Sequence, residues 1–428
     1  MQKRNLSVVK IFLAAVFLSF VFFLAGCSSQ KEKSNRIVIW TDCAEFAQYA
    51  EFFNSTHKED KVVLVYKRNP ALSIPPAKDE FPPDVIVGSW LRTDSTKKYF
   101  KNLDYIFSTK KLSSDIFYEQ LLDAGKIGYS QYLIPVSFNL PALIFSNDNK
   151  HLVPESYTIG LNQIRSTAST YNEKNKKDSY IKMGFTPLSN SDFLYLVAKL
   201  KGADFREEKS QIVWNEDCLE DAANFIKDWI VKENSSAQIE QDFAFKYLFM
   251  PYYRQVSIGR TLYAYTTSDQ LFKVMRDQNL DIGFRWISQE KKIFAEDSLK
   301  MMGIYKKSQN QVGATEFINW FCQSQTQQKI LERKNKMNLQ TGEFGIAGGF
   351  SAIRDVTEHI LPTYYTPLLT NLPPAQMIQV PQKLPARWIS YKTQVVEPYL
   401  QSVATSTENS KQITIEELEE EYKKKFYD

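Results

Sequence analysis

The side chains able to act as bases, nucleophiles or metal ligands are few and scattered in this chain. Its three histidines, His57, His151 and His359, each stand among polar neighbours and read as surface positions. General acid–base work and zinc ligation both draw heavily on histidine, and none here is spaced for either task. Cys43, Cys218 and Cys322 lie far apart, each beside apolar residues in a helical pattern. They read as buried free thiols and not as a metal or disulfide framework. No G-x-S-x-G, H-E-x-x-H or G-x-G-x-x-G occurs, and no G-x-x-x-x-G-K followed by Ser or Thr. Gly342–Gly349 (GEFGIAGG) is dense in glycine, but it neither follows a strand nor opens a helix. It reads as a bend between domains. No catalytic residue, metal site or cofactor is expected. Carboxylate pairs stay open, because spacing in sequence does not report spacing in space. Aromatic residues, by contrast, reach 14% of the chain.

These side chains need a scaffold, and 428 residues with 43% hydrophobic and 24% charged content can build two or three globular domains. The net charge of +4 has a local origin. Lys3, Arg4 and Lys10 precede sixteen uncharged residues, 11–26, too short for a membrane span and typical of an export signal. Leu24-Ala25-Gly26-Cys27 resembles the lipobox of bacterial lipoproteins. The resemblance implies removal of residues 1–26 and a diacylglycerol on the Cys27 thiol. Residues 27–36 would then form a flexible tether reaching roughly 30 Å. Without the three signal charges the chain carries +1, which leaves no basic field for nucleic acid.

Strand-like and helical runs alternate beyond the tether. Arg36–Trp40, Val62–Tyr66 and Val85–Gly88 read as strands, as do Leu140–Phe145, Leu262–Tyr265 and Asp281–Trp286. Phe46, Tyr49, Ala50 and Phe53 mark one face of a helix, with Asp42 and Glu45 as a capping-box-like start. Asn215 caps a helix bearing Leu219, Ala222, Ala223, Ile226 and Ile230 on one side. Ala314, Phe317, Ile318 and Phe321 mark another, and Thr414 with Glu417 forms a capping box near the end. The alternation predicts an α/β fold with a largely parallel sheet.

Six segments in order resemble the extracellular solute-binding proteins of ATP-driven importers, of the maltose- and multiple-sugar-binding family. They are RIVIWTD with EFAQYAEFFN, FPPDVIVGSW, YLIPVSFNLPALIF, IGRTLYAYTTSDQL, LDIGFRWIS and VGATEFINWFCQSQTQQKIL. The resemblance implies a two-lobed periplasmic-binding-protein-like fold with interleaved lobes and a hinge. One lobe would hold residues 37–138 and 299–335, the other 139–298 and 336–428. It also implies an exported, lipid-anchored monomer that hands a carbohydrate-type solute to a membrane permease of an ABC importer, without catalysis.

A sugar has flat C–H faces and a rim of hydroxyls, so its cleft needs aromatic plates and hydrogen-bonding side chains. In open α/β sheets these sit at the carboxyl ends of strands. The candidates at such ends are Trp40, Thr41 and Asp42; Ser89, Trp90 and Arg92; Tyr265 and Thr267; and Arg285 and Trp286. Ser137, Asn139 and Phe344 lie in the crossing segments, and Trp388 begins a late helix. Any one of these aromatics could equally pack a core. Trp229 and Trp320 lie on amphipathic helices and read as core; Trp90 and Trp388 read as plates. Asp42 could cap its helix as well as face the cleft. The family's turn after the Leu262-type strand commonly carries a stacking tryptophan, but Thr266-Thr267-Ser268-Asp269-Gln270 has none. That departure leaves open a small sugar, a sugar derivative or another polar solute. The alternatives to transport are a surface-interaction lipoprotein, such as an adhesin, and a carbohydrate-active enzyme.

Overall fold

The computed structural model describes residues 35–109, 111–336, 343–407 and 413–426. The signal segment, Cys27 and most of the tether lie outside the described residues. Among the described residues no helix is long and apolar enough to cross a membrane.

Ten strands build the two main sheets. They are β1 (Asn35–Thr41), β2 (Asp60–Tyr66), β3 (Val85–Gly88), β4 (Ile134–Phe138), β5 (Pro141–Ser146), β6 (Thr158–Ile159), β7 (Ala264–Thr267), β8 (Ile282–Ile287), β9 (Lys300–Ile304) and β10 (Phe350–Ser351). The first sheet has the order β10-β4-β9-β3-β1-β2, and the second β7-β5-β8-β6. β1 runs parallel to β2 and β3, while β9 is antiparallel to both β3 and β4. β5 is antiparallel to β7 and β8, and β6 is parallel to β8. Both sheets are thus mixed, which corrects the expectation of a largely parallel sheet. β4 leads out of the first sheet towards the second and β9 returns from it, so the two must oppose. The same topology aims the carboxyl ends of β1, β3 and β4 at the second sheet.

The proline-flanked entry to β3 has a structural role. Asp84 Oδ2 accepts from the Val38 N–H at 2.8 Å, and Oδ1 accepts from Ser308 Oγ and the Gln309 and Asn310 N–H groups at 2.6, 2.9 and 2.8 Å. One buried carboxylate therefore ties β3 to β1 and to the turn before the helix Gln311–Phe321. Four donors compensate its loss of water.

The helix Phe46–Thr56 buries Phe46, Tyr49, Ala50 and Phe53, the face its periodicity marks. Its start differs from expectation. Asp42 caps nothing; the N-cap is Glu45, without a side-chain cap bond. The Glu45 carboxylate is held by Lys334 at 2.5 Å. In Glu216–Glu233, Asn215 Oδ1 caps by accepting from Cys218 N–H at 3.1 Å, and Trp229 joins the expected buried residues. Thr414 and Glu417 bond reciprocally at 3.2 and 3.3 Å, completing their capping box. Cys43 and Cys322 are buried free thiols, whereas Cys218 is half-buried. His57 departs from a plain surface position: its ring stacks on Phe53 at 3.8 Å.

Buried residues gather into two cores. Period-two alternation divides the fully buried β5 between them: Ala142 and Ile144 face the first core, and Leu143 and Phe145 the second. The chain beyond residue 336 does not pass whole into the second body. Phe350–Ser351 pairs with β4 in the first sheet, and Ile346, Ala347, Ile353 and Val356 pack in the first core. Gly345 (φ 58°) and Gly348 (φ 75°) supply the left-handed turns of this return, consistent with a bend.

Candidate functional site

The cavity that best matches the expected chemistry runs along β7, from Thr261 before the strand to Gln270 beyond its carboxyl end. Its volume is about 440 Å³, within the range of small-molecule sites. Three local features build it. β7 ends at Thr267, the N-cap of the helix Ser268–Gln278. Asn190 is the N-cap of the helix Ser191–Lys201 and accepts from Phe193 N–H at 3.1 Å. Pro251 starts the short helix Tyr252–Ser257, which carries Tyr252 and Gln255 into the wall. The lining mixes aromatic rings (Phe243, Tyr247, Tyr252, Tyr265) with hydrogen-bonding groups (Asn190, Asp192, Thr267, Gln270).

Buried polar anchors fix the walls. Glu240 is fully buried and accepts from Leu188 N–H at 2.6 Å and from Asn234 Nδ2 at 2.9 Å. It ties the helix Ala237–Lys246 to the loop that carries Thr186, Ser189 and Asn190. Burial without a neighbouring cation pushes its carboxyl up to about 7. On the floor, Tyr265 rests against Phe193 at 5.8 Å and donates its hydroxyl to Glu296 Oε1 at 3.3 Å. Burial raises Glu296 to about 7 as well.

Glu296 and Asp297 belong to the return crossing between β8 and β9. Glu296 N–H donates to the carbonyl of Asn139 in the outward crossing at 2.8 Å, so the two crossings are bonded to each other. Asp297 accepts from Lys199 Nζ, Tyr195 Oη and Trp388 Nε1 at 2.7, 2.7 and 2.8 Å. Burial raises its pKa, but Lys199 and these donors outweigh that and hold it below the ordinary carboxylate value. This ion pair pins the return crossing to the helix Ser191–Lys201, whose N-terminal end lines the cavity.

Of the fourteen sequence candidates, Tyr265 and Thr267 line this cavity. Trp90 stands at the end of β3, half-buried, and packs against both cores. Its φ of 64° is an unusual backbone for a bulky residue, the kind of strain that concentrates at functional sites. Asp42 directly follows β1, with Oδ1 3.6 Å from Lys300 Nζ. Other candidates are committed elsewhere. Trp388 is 1% exposed and packs against Tyr195, Phe205 and Tyr391, so no plate face is open to a ligand. Trp286 is buried against Phe284 and Phe350 and donates to Asn371 O at 2.5 Å. Phe344 stacks on Phe272 at 4.4 Å, and Trp40 is buried beneath Lys67. Arg92 donates to the carbonyls of Pro381 and Gln382 at 2.8 and 3.0 Å, and Arg285 to those of Pro154 and Phe284 at 3.1 and 2.8 Å. Thr41 accepts from Cys43 N–H, and Ser89 donates to Ser298 O, each at 3.0 Å. Ser137 and Asn139 donate to Ala347 O and Gly348 O at 3.3 and 2.8 Å, tying the outward crossing to the glycine bend.

Sequence reading missed Asn190, Asp192, Tyr247, Tyr252 and Gln255. A signal existed for two of them: Thr186-Pro187 followed by Asn190 and Asp192 marks a helix start with an acid in its first turn. The tyrosines gave none, because their segment shows no clear periodicity.

The description of one protein family, the bacterial extracellular solute-binding proteins, matches residues 42–328. The chain belongs to that family. A comparison with curated proteins gives no sequence match. Among solved structures, the chain is similar to CpMnBP1 with mannobiose bound (TM-score 0.61, 14% identity, 90% of this chain and 98% of that one). It is similar to an ABC substrate-binding protein of Listeria monocytogenes in complex with cycloalternan (0.62, 13%, 92% and 100%). It is also similar to the maltose-maltodextrin binding protein of Alicyclobacillus acidocaldarius (0.57, 13%, 92% and 100%). The architecture is thus the two-lobed α/β fold of periplasmic-binding-protein-like receptors.

Proposed function

We propose that this chain captures a carbohydrate or a related polar solute and delivers it to the permease of an ABC importer, tethered to a membrane through a lipid on Cys27. The observation that carries the reading is the tyrosine-lined cavity along β7. Rings and hydrogen-bonding side chains converge there as a polyhydroxylated ligand requires. Tyr252 takes up the role left vacant by the missing turn tryptophan, with its hydroxyl 3.1 Å from Thr266 Oγ1. Trp90 and Asp42, which follow β3 and β1, do not line this cavity; they are assigned as the first lobe's contribution to the cleft, with the crossings at Asn139 and Glu296 as the hinge. The lobes divide near residues 138 and 299, with the return at Phe350–Ser351 assigned to the first lobe.

The carbohydrates named with the similar structures, mannobiose, cycloalternan and maltodextrin, support the ligand class. Asp192 is the one carboxylate among the described residues that line the cavity, whereas acid–base cleavage of a glycosidic bond ordinarily uses two. A thermal-shift screen over mono- and oligosaccharides, polyols and amino acids tests the reading. Ligand-dependent stabilisation by a saccharide is expected. A folded protein unmoved across the saccharide set would overturn it.

A further inference from the structure

β1 begins at Asn35 and runs towards the second sheet, so the chain from Cys27 joins the first sheet at the edge that points away from the second. Several segments meet at that edge. Asn35 N–H donates to Glu59 O at 3.0 Å, beside the start of β2. β9 ends there because it is antiparallel to β3, and Lys306 N–H then donates to Tyr99 O at 2.7 Å. Asn310 Nδ2 reaches the Arg36 carbonyl at 3.3 Å. Leu103 N–H donates to Gln131 O at 2.7 Å, which fixes the hairpin Lys126–Gln131 at the amino end of β4.

These contacts gather positive charge. Arg36, Lys58, Lys98, Lys306 and Lys307 are exposed, and among the described residues none of them forms an ion pair. Lys101 joins them, its Nζ bonded to the neutral Gln311 side chain. Glu59, Asp60 and Asp104 share the edge, so six cations stand with three carboxylates. Beyond the signal segment the whole chain carries only +1, which makes this a local excess. Two apolar groups project from the same edge. Tyr129, at the tip of the hairpin, is fully exposed, and Val312 is exposed in the first turn of the helix Gln311–Phe321. A tyrosine at such a tip gains nothing from the core; its amphipathic ring suits the boundary between lipid and water.

We propose that this edge is a membrane-facing surface, which rests on the headgroups of an anionic phospholipid bilayer with Lys98, Lys306 and Lys307 over the phosphates and Tyr129 at the interface. The setting rests on the lipid proposed for Cys27. Eight residues lead from Cys27 to Asn35, a span of about 26 Å at full extension, so the surface around Asn35 is held nearest the bilayer. Lysines there feel an anionic leaflet within a Debye length, about 8 Å at physiological ionic strength. So small an excess holds weakly and reversibly. It orients the anchored body with the second sheet away from the bilayer, and releases it to swing to a permease.

Co-sedimentation with vesicles tests this, on residues 27–428 carrying Cys27→Ser, so that no lipid on the protein contributes. Vesicles of phosphatidylglycerol with phosphatidylcholine are compared with phosphatidylcholine alone. At low salt the anionic vesicles should bind about fivefold more protein or better, and high salt should abolish the difference. The double variant Lys306→Glu/Lys307→Glu should weaken this binding about fivefold with an unchanged melting temperature, and Tyr129→Ser should weaken it further. The cavity variant Tyr252→Ala should bind like the parent. Equal binding to both kinds of vesicle, or a double variant that binds like the parent, would overturn the proposal and leave the anchor on Cys27 standing. A native chain without lipid on Cys27 would overturn the anchor and leave this surface standing.

Discussion

Trp388 donates its indole N–H to Asp297 Oδ2 at 2.8 Å, and this bond joins the late C-terminal helices to the crossing between the two sheets. A tryptophan that reads in sequence as a ligand plate is instead a structural tie. Its ring packs on Tyr195 and Phe205 while its N–H helps satisfy a buried carboxylate. Trp388→Ala should destabilise the fold by about 3–5 kcal/mol, through the cavity left and the donor lost. Trp388→Phe should cost less. Denaturant unfolding reads both. A variant of parental stability with weakened saccharide binding would restore the plate assignment.

Tyr252 is expected to behave in the opposite way. It is half-buried on a short helix at the cavity wall, so Tyr252→Ala should change stability little. Saccharide affinity should fall by about 1–3 kcal/mol, a range typical for removing an aromatic anchor. Calorimetric titration with the best ligand of the thermal-shift screen measures it. Unchanged affinity would exclude the ring from the contact surface.

Glu240 gives the protein an unusual pH dependence. Its folded-state pKa, about 7, lies above its ordinary value of 4.5. Between those values the native state holds a proton that the unfolded chain releases. Stability therefore falls as pH rises from about 4.5 to 7, by an amount on the order of 3 kcal/mol, and stays reduced above it. Glu296 acts in the same direction. Urea unfolding at pH 5, 6, 7 and 8 should show the decline, and Glu240→Gln should flatten it. A curve that rises with pH in this window, with the same slope in the variant, would contradict the assignment.

Cys27 is the proposed lipid attachment point. Cys27→Ser should move the protein from the membrane fraction to the soluble exported fraction without altering ligand-induced stabilisation. Fractionation with immunodetection decides this, and an unchanged membrane association would reject the anchor.

Local order was legible where a periodic pattern met a partner of matching period. The helix faces at Phe46–Phe53, Leu219–Ile230 and Ala314–Phe321 were readable because burial of one face dictates spacing by three and four. The capping boxes divided. Thr414–Glu417 closed as written, whereas Glu45 turned away from its helix start because Lys334, 289 residues on, offers it a buried ion pair. Sequence spacing could not announce so distant a partner.

The amino-acid sequence by itself determined the family, the alternation of strands and helices and the strand ends where a site could form. All of these follow from local propensity and the order of segments. Only the tertiary structure decided which aromatics line a cavity. Tyr252, without a periodic signal, reached the wall of a cavity, while Trp388, Trp286 and Phe344, with better signals, closed into cores. The physical reason is that an aromatic ring gains from burial whether its neighbour is a sugar or a phenylalanine. Its type fixes its appetite for contact. Which contact it finds depends on how β4 and β9 carry the chain between the two sheets.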